Sequence, residues 1–69
     1  MKISARNQLT GRVVAVTLGA TTAHVKVDIG GGNVVTSAIT NESVAELGLA
    51  VGSAVTVVVK SSDVMIAVD

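Results

Sequence analysis

Phenylalanine, tyrosine and tryptophan are all missing from this sequence, and so is cysteine. Without aromatic side chains, a chain of 69 residues forgoes the usual source of large buried area. Without cysteine it has no disulfide, and its single histidine cannot build a Cys/His cluster around a structural metal, so the common staples of a small domain are absent. The length allows one domain, residues 1–69, and such a chain buries only about 60% of the surface its unfolded form exposes. The lack of aromatics also removes the stacking platforms on which barrel-type proteins hold single-stranded nucleic acid. Charge of either sign is in short supply: five Lys or Arg balance five Asp or Glu, so no positive field gathers nucleic acid or an anionic membrane. No apolar run approaches the roughly 20 residues that span a bilayer. The start, MKISARNQ, holds no apolar core of signal-peptide length, and a cytoplasmic setting is expected, with neither nucleic acid nor membrane as partner.

What is present is aliphatic. Hydrophobic residues make up 49% of the chain, nearly all Val, Ala, Leu or Ile, a composition that suits β-strands burying one face internally and part of the other against copies of themselves. A homo-oligomer is therefore expected, because association is the remaining remedy for a marginal core. Against this background the stretch SARNQLTG, Ser4 to Gly11, stands out: a hydroxyl, a guanidinium and two carboxamides fall within five positions.

Strand signals dominate the rest. Arg12 to Leu18 is a Val-rich run bounded by Gly11 and Gly19, both natural points for a bend or turn. Beyond the Gly19–Thr22 connection, Ala23, Val25, Val27 and Ile29 alternate with His24, Lys26 and Asp28, the period of a half-buried strand. Gly30-Gly31-Gly32-Asn33 reads as a turn tolerant of positive φ, joining that strand in a hairpin to a third, Val34 to Ile39. The period then changes. Thr40 or Asn41 can cap a short helix with Val44 and Leu47 on one face and Gly48 as its stop. A fourth strand, Ala54 to Val59, places Val55, Val57 and Val59 on one face, and Lys60 to Asp63 reads as a tight polar turn before a fifth, Val64 to Val68. The order β-β-β-α-β-β predicts an all-β fold with one short helix, a five-stranded OB-like barrel whose closure removes exposed edges.

Catalytic constellations are not apparent. His24 sits among the outward positions of a strand with no nucleophile beside it, and the serines occupy turns and caps in no nucleophile-elbow pattern. The carboxylates Asp28, Glu42, Glu46, Asp63 and Asp69 are scattered singly, away from metal-ligand spacing. Gly30-Gly31-Gly32 lacks the lysine and long helix of a phosphate loop and is read as the hairpin turn, with a close approach at a symmetry axis as its other use. A binding role for a small oxyanion is the remaining chemistry. Ser4-Ala5-Arg6-Asn7, Ala20-Thr21-Thr22 and Lys60-Ser61-Ser62 supply hydroxyls, two cations and backbone amides, and every oxygen of such a ligand accepts hydrogen bonds. From the residues alone the alternative stands that Arg6 and Lys60 are merely solvated and the hydroxyls serve turns.

A resemblance runs through the whole chain. SARNQLTGRV, the GATTA turn before AHVKVDI, IGGGN, TNESVAELGL, VGSAVTVVVK and the closing KSSDVMIAVD together resemble the molbindin (Mop) family of molybdate-binding proteins, from Met1 to Asp69 with the family's spacing kept. The resemblance implies an OB-like barrel assembled as a homo-hexamer, a trimer of dimers, that binds molybdate or tungstate between subunits for cytoplasmic storage and homeostasis, without enzymatic activity. It implies contacts to the oxyanion from Ser4, Ala5 and Arg6, from Lys60 and Ser61, and, across the interface, from Gly19, Ala20, Thr21 and Thr22. A second class of site on threefold axes is implied for the hydroxyls of Ser37, Thr40 and Ser43. Related domains also occur as regulatory parts of molybdate transporters and transcription factors, so a structural or regulatory interaction module is the alternative reading.

Overall fold

The computed structural model describes residues Met1–Asp69. Its elements are β1 (Asn7–Leu18), β2 (Thr22–Gly30), β3 (Asn33–Thr40), the helix α1 (Asn41–Leu47), β4 (Ala54–Val59) and a single 3-10 turn at Ser61–Asp63. All strand pairs are antiparallel, in the spatial order β3-β2-β1-β4. Mostly β structure with one short helix is what the sequence pattern predicts.

β1 organises the sheet because it serves two partners in turn. Asn7 to Arg12 pair with β4, from Asn7 opposite Val59 to Arg12 opposite Ala54, and Arg12 to Leu18 pair with β2. The strand thus begins five residues before the Val-rich run from which it was expected to start. Its polar first half is invisible to a hydrophobic pattern, yet it is fastened by the ladder to β4. The transfer between partners falls at Arg12, which pairs with both, and the preceding Gly11 lies inside the strand rather than ending it. A Cβ there would come within 2.4 Å of the Asp28 carbonyl oxygen and 2.7 Å of Val27, so the close approach of β2 requires glycine. The register then slips between Val13 and Ala15, and this β-bulge at Val14 adds to the bend.

β2 is the central strand of the core. Ala23, Val25 and Val27 are buried, His24, Lys26 and Asp28 are exposed, and the alternation predicted for this segment is the one observed. The turn into β3 uses positive φ at Gly30, Gly31 and Gly32, with Asp28 Oδ1 accepting from the Gly30 amide at 2.8 Å and Asn33 Nδ2 donating to the Gly30 carbonyl at 3.2 Å. Thr40 is the N-cap of α1 and Gly48, at φ 62°, its left-handed stop, with the Gly48 amide donating back to the Ala45 carbonyl at 3.1 Å. Val44 of this helix is buried, but Leu47, expected on the same inward face, is 68% exposed. No helix is long and apolar enough to cross a membrane.

The predicted closure of a five-stranded barrel is not realised within the chain. The fifth strand, Val64 to Val68, does not form: Asp63 N donates to Lys60 O at 2.9 Å and Val64 N to Ser61 O at 3.3 Å, and after that 3-10 turn the chain makes no further backbone hydrogen bond. No residue after Asp63 pairs with β4 or with any other strand. Val64, Met65, Ile66 and Val68 are left 45–92% exposed. Between the unpaired edges of β3 and β4 runs an open groove of about 210 Å³. It is walled by Val13, Val25, Val27, Val55 and Val57 and by Ile39, Leu47 and Leu49. The core proper is five side chains, Val13, Ala23, Val25, Val27 and Val44.

One prediction tests the account of the β1 crossing. Gly11→Ala should destabilise the fold by about 1–3 kcal/mol, the usual cost of forcing atoms into a packed site. Urea unfolding of the two proteins measures this, and equal midpoints would mean that β1 and β2 are not held as close as described.

Candidate functional site

Ser4, Ala5 and Arg6 lead directly into β1, and Lys60 and Ser61 lead directly out of β4. Because Asn7 pairs with Val59, the ladder sets the two segments side by side, and Asn7 Nδ2 ties them by donating to the Val59 carbonyl at 3.2 Å. Together they line one open hollow of about 610 Å³, with Ile3, Val58, Ser62 and Asp63 completing it. All five residues expected at this end are thus brought together; Ser62 was noted as part of a polar turn, whereas Ile3 and Asp63 had no signal as lining. The hollow carries two cations, Arg6 and Lys60, against one carboxylate, Asp63, a net charge of +1.

The hydrogen-bond pattern of this hollow is one-sided. The carbonyl of Ala5 accepts from Gln8 Nε2 at 3.0 Å, that of Val59 from Asn7, that of Lys60 from Asp63 N and that of Ser61 from Val64 N. The amides of Ser4, Ala5, Arg6, Ser61 and Ser62 lie outside the strands and make no bond within the chain. Nor do the side chains of Arg6 and Lys60 hydrogen-bond to protein atoms. Internal bonds here occupy four carbonyls and none of these five amides, while the carbonyls of Ser4, Arg6 and Ser62 and the Asp63 carboxylate also have no partner within the chain. A buried or shared donor of this kind needs an acceptor, since an unpaired polar group removed from water costs roughly 1–3 kcal/mol.

The Gly19–Thr22 turn lies at the other end of β1, a path of roughly 40 Å at about 3.3 Å per residue. No hollow of the chain is lined by both segments. It too is one-sided: Gly19 N donates to Thr22 O at 2.9 Å, Asn41 N to Thr21 O at 2.8 Å and Asn41 Nδ2 to Gly19 O at 2.8 Å, while the amides of Ala20 and Thr21 are free. Gly19 is needed for this turn, because a Cβ would sit 2.5 Å from the Thr22 carbonyl oxygen.

The three hydroxyls assigned to a threefold site are divided. Thr40 and Ser43 form a capping pair, Ser43 N donating to Thr40 Oγ1 at 3.0 Å and Thr40 Oγ1 to Ser43 Oγ at 2.8 Å. Ser37 stands opposite buried Val25 and lines the apolar groove, on the inner face of β3, whereas Thr40 is exposed on the outer one. The cap pair instead neighbours the Gly19–Thr22 turn, through the Thr22–Thr40 pairing and through Asn41. Sequence reasoning passed over Asn41 except as an alternative cap, and nothing in its spacing marks a bond that spans 22 positions. No three His, Asp or Glu side chains converge as metal ligands.

A small antiparallel sheet with one short helix and donor-rich surfaces at both ends of its first strand defines the class: a small, mostly β domain. The TOBE domain family matches residues 3–66. Molybdenum-pterin-binding protein 2 of Clostridium pasteurianum is 56% identical over 66 residues, 96% of this chain and 97% of that protein. A molybdate-binding protein from Sporomusa ovata superposes with a TM-score of 0.91 at 37% identity, over 97% of this chain and 98% of the other. The cytoplasmic molybdate-binding protein ModG, solved with molybdate bound, gives a TM-score of 0.90 at 45% identity; 94% of this chain is covered but only 46% of ModG. The chain belongs to the Mop (molbindin) family of TOBE-domain, molybdenum-pterin-binding proteins.

The cap pair can be tested apart from any ligand. Thr40→Ala should lower stability by about 1 kcal/mol through loss of the N-cap. Urea unfolding followed by circular dichroism measures the change, and an unaltered midpoint would show that the Thr40–Ser43 pair does not hold the helix.

Proposed function

We propose that this protein binds molybdate, and its congener tungstate, at interfaces between copies of itself, as a cytoplasmic store of the oxyanion. The observation that carries the reading is the separation of two donor-rich surfaces. Ser4, Ala5, Arg6, Lys60 and Ser61 form one, Gly19 to Thr22 the other, and β1 keeps them apart in a single chain. The first hollow, about 610 Å³ and open to solvent, is far larger than a tetrahedral oxyanion, whose four oxygens occupy on the order of 100 Å³ if each takes about the 30 Å³ of a water. One chain supplies a wall, and a second chain's Gly19–Thr22 turn completes the pocket.

The chain is also incomplete as a folding unit. Two free sheet edges, an apolar groove and an exposed tail carrying Val64, Ile66 and Val68 all lack a partner, and a second copy is the occupant that matches them in length and period. A homo-hexamer built as a trimer of dimers provides for such pairs, and its threefold axes give Thr40 and Ser43 a place as further hydroxyl donors, with Ser37, on the opposite face of β3, left out of that set.

Chemistry favours molybdate within the class of small oxyanions. It is a dianion without a proton at neutral pH, so donors alone satisfy it, whereas phosphate partly carries a proton that requires an acceptor. Sulfate has the same charge but smaller size, so an interface of fixed width discriminates against it. The role is binding and release, for which few formal charges per site are suited.

Calorimetric titration tests the proposal. Lys60→Ala should weaken molybdate binding about 10- to 100-fold, the worth of a charge-assisted hydrogen bond, with the assembly intact. Molybdate and tungstate should raise the melting temperature of the wild type, with sulfate and phosphate much less effective, since a ligand at a hundred times its Kd adds about 2.7 kcal/mol. Unchanged binding by Lys60→Ala removes that residue from the site, and no selective shift would leave an interaction module as the role.

A further inference from the structure

We propose that Asn41 is the positioning residue of the oxyanion site on the Gly19–Thr22 side: it holds the turn in the one arrangement that presents donors. The inference rests on the interface reading above and adds a residue to it. Asn41 is the first residue of α1, yet two of its groups serve a turn 22 positions earlier: its backbone amide donates to Thr21 O and its side-chain Nδ2 to Gly19 O, both at 2.8 Å. With Thr22 O accepting from Gly19 N, three of the four carbonyls of the turn are occupied from within the fold. The amides of Ala20 and Thr21 are left unbonded. A peptide plane carries its carbonyl and the next amide on opposite sides. Fixing the Gly19 carbonyl toward Asn41 therefore aims the Ala20 amide away from the helix, and fixing the Thr21 carbonyl constrains the Thr22 amide in the same way.

The side-chain amide of Asn41 shows what the arrangement costs. Its Oδ1 is buried and has no hydrogen-bond partner, the sole such side-chain atom in the chain. Rotating the amide would not relieve this, because Oδ1 would then face the Gly19 carbonyl, acceptor against acceptor. The fold keeps an orphaned acceptor in order to keep a donor on Gly19. Buried groups of this kind are rare and call for a reason, and the turn that Asn41 holds supplies it. Asn41 also follows Thr40, whose Oγ1 caps the helix through Ser43, so the turn is tied to the capped first turn of α1 and not to a mobile side chain.

Molybdate titration of the assembled protein, with ¹H–¹⁵N spectra of Ala20 and Thr21, decides the matter. Asn41→Asp keeps the size of the side chain but removes the donor. It should weaken molybdate binding about 5- to 10-fold, the worth of one ordinary hydrogen bond, and should diminish the response of the Ala20 and Thr21 amides to molybdate. Val44→Ala, which loosens the packing of the same helix without touching the turn, should lower the melting temperature yet bind as the wild type does. If Asn41→Asp fails to fold, Asn41→Ala, which places no charge against the Gly19 carbonyl, makes the same comparison. Wild-type affinity in the Asn41 variant, or an equal loss in Val44→Ala, would overturn the inference. Weakened binding by Lys60→Ala beside wild-type binding by Asn41→Asp would sink this assignment alone, whereas a wild type that takes up no molybdate would remove it together with the interface reading.

Discussion

Only five side chains of this chain are fully buried, none larger than valine, and the six aliphatic side chains packed against them are half-buried. At roughly 1.5–3 kcal/mol for each fully buried aliphatic side chain, so small a set makes a marginal core for a single chain. The rest of the structure follows from that shortage. β3 and β4 keep open edges, the valines between them line a groove, and the tail beyond Asp63 has no partner in its own chain. In the proposed assembly the missing area comes from copies of the chain, and a ligand bound between copies adds to the stability of that assembly.

The same economy shapes the polar surfaces. At both ends of β1 the carbonyls are taken up by local bonds: Gln8 on Ala5, Asn7 on Val59, Asp63 on Lys60, Asn41 on Gly19 and Thr21. What remains without a partner is a set of amides with the Arg6 and Lys60 side chains among them, beside fewer acceptors, the Asp63 carboxylate and the carbonyls of Ser4, Arg6, Ser62 and Ala20. A donor-rich surface suits a ligand that brings only lone pairs better than one that also brings a proton in need of an acceptor. In the proposed site, selectivity for an oxyanion begins with hydrogen bonds that never touch it.

Much of this was legible in the sequence, and the unread parts share a cause. The β2 alternation, the glycine turn, the Thr40 cap, the Gly48 stop and the limits of β4 are local signals and appear in the fold where they were expected. The first half of β1 was missed because Asn7, Gln8 and Thr10 break the hydrophobic pattern while the ladder to β4, almost 50 residues away, supplies the bonds. The fifth strand was overread for the converse reason: Val64, Ile66 and Val68 have the period of a strand, but a strand needs an edge, and pattern cannot say in which chain that edge lies. Within the site, neighbours in sequence such as Ser4 to Arg6 were found by composition. Asn41 could be found only from its bonds. Ser37 shares a list with Thr40 by residue type, yet a spacing of three puts the two on opposite faces of a strand.

Native mass spectrometry across a dilution series, with molybdate held at a fixed free concentration, tests most directly whether the site lies between chains. The account predicts that molybdate is carried only by assembled species and that monomers released at low protein concentration are free of it. A monomer that retains molybdate, with affinity unchanged on dilution, would contradict it.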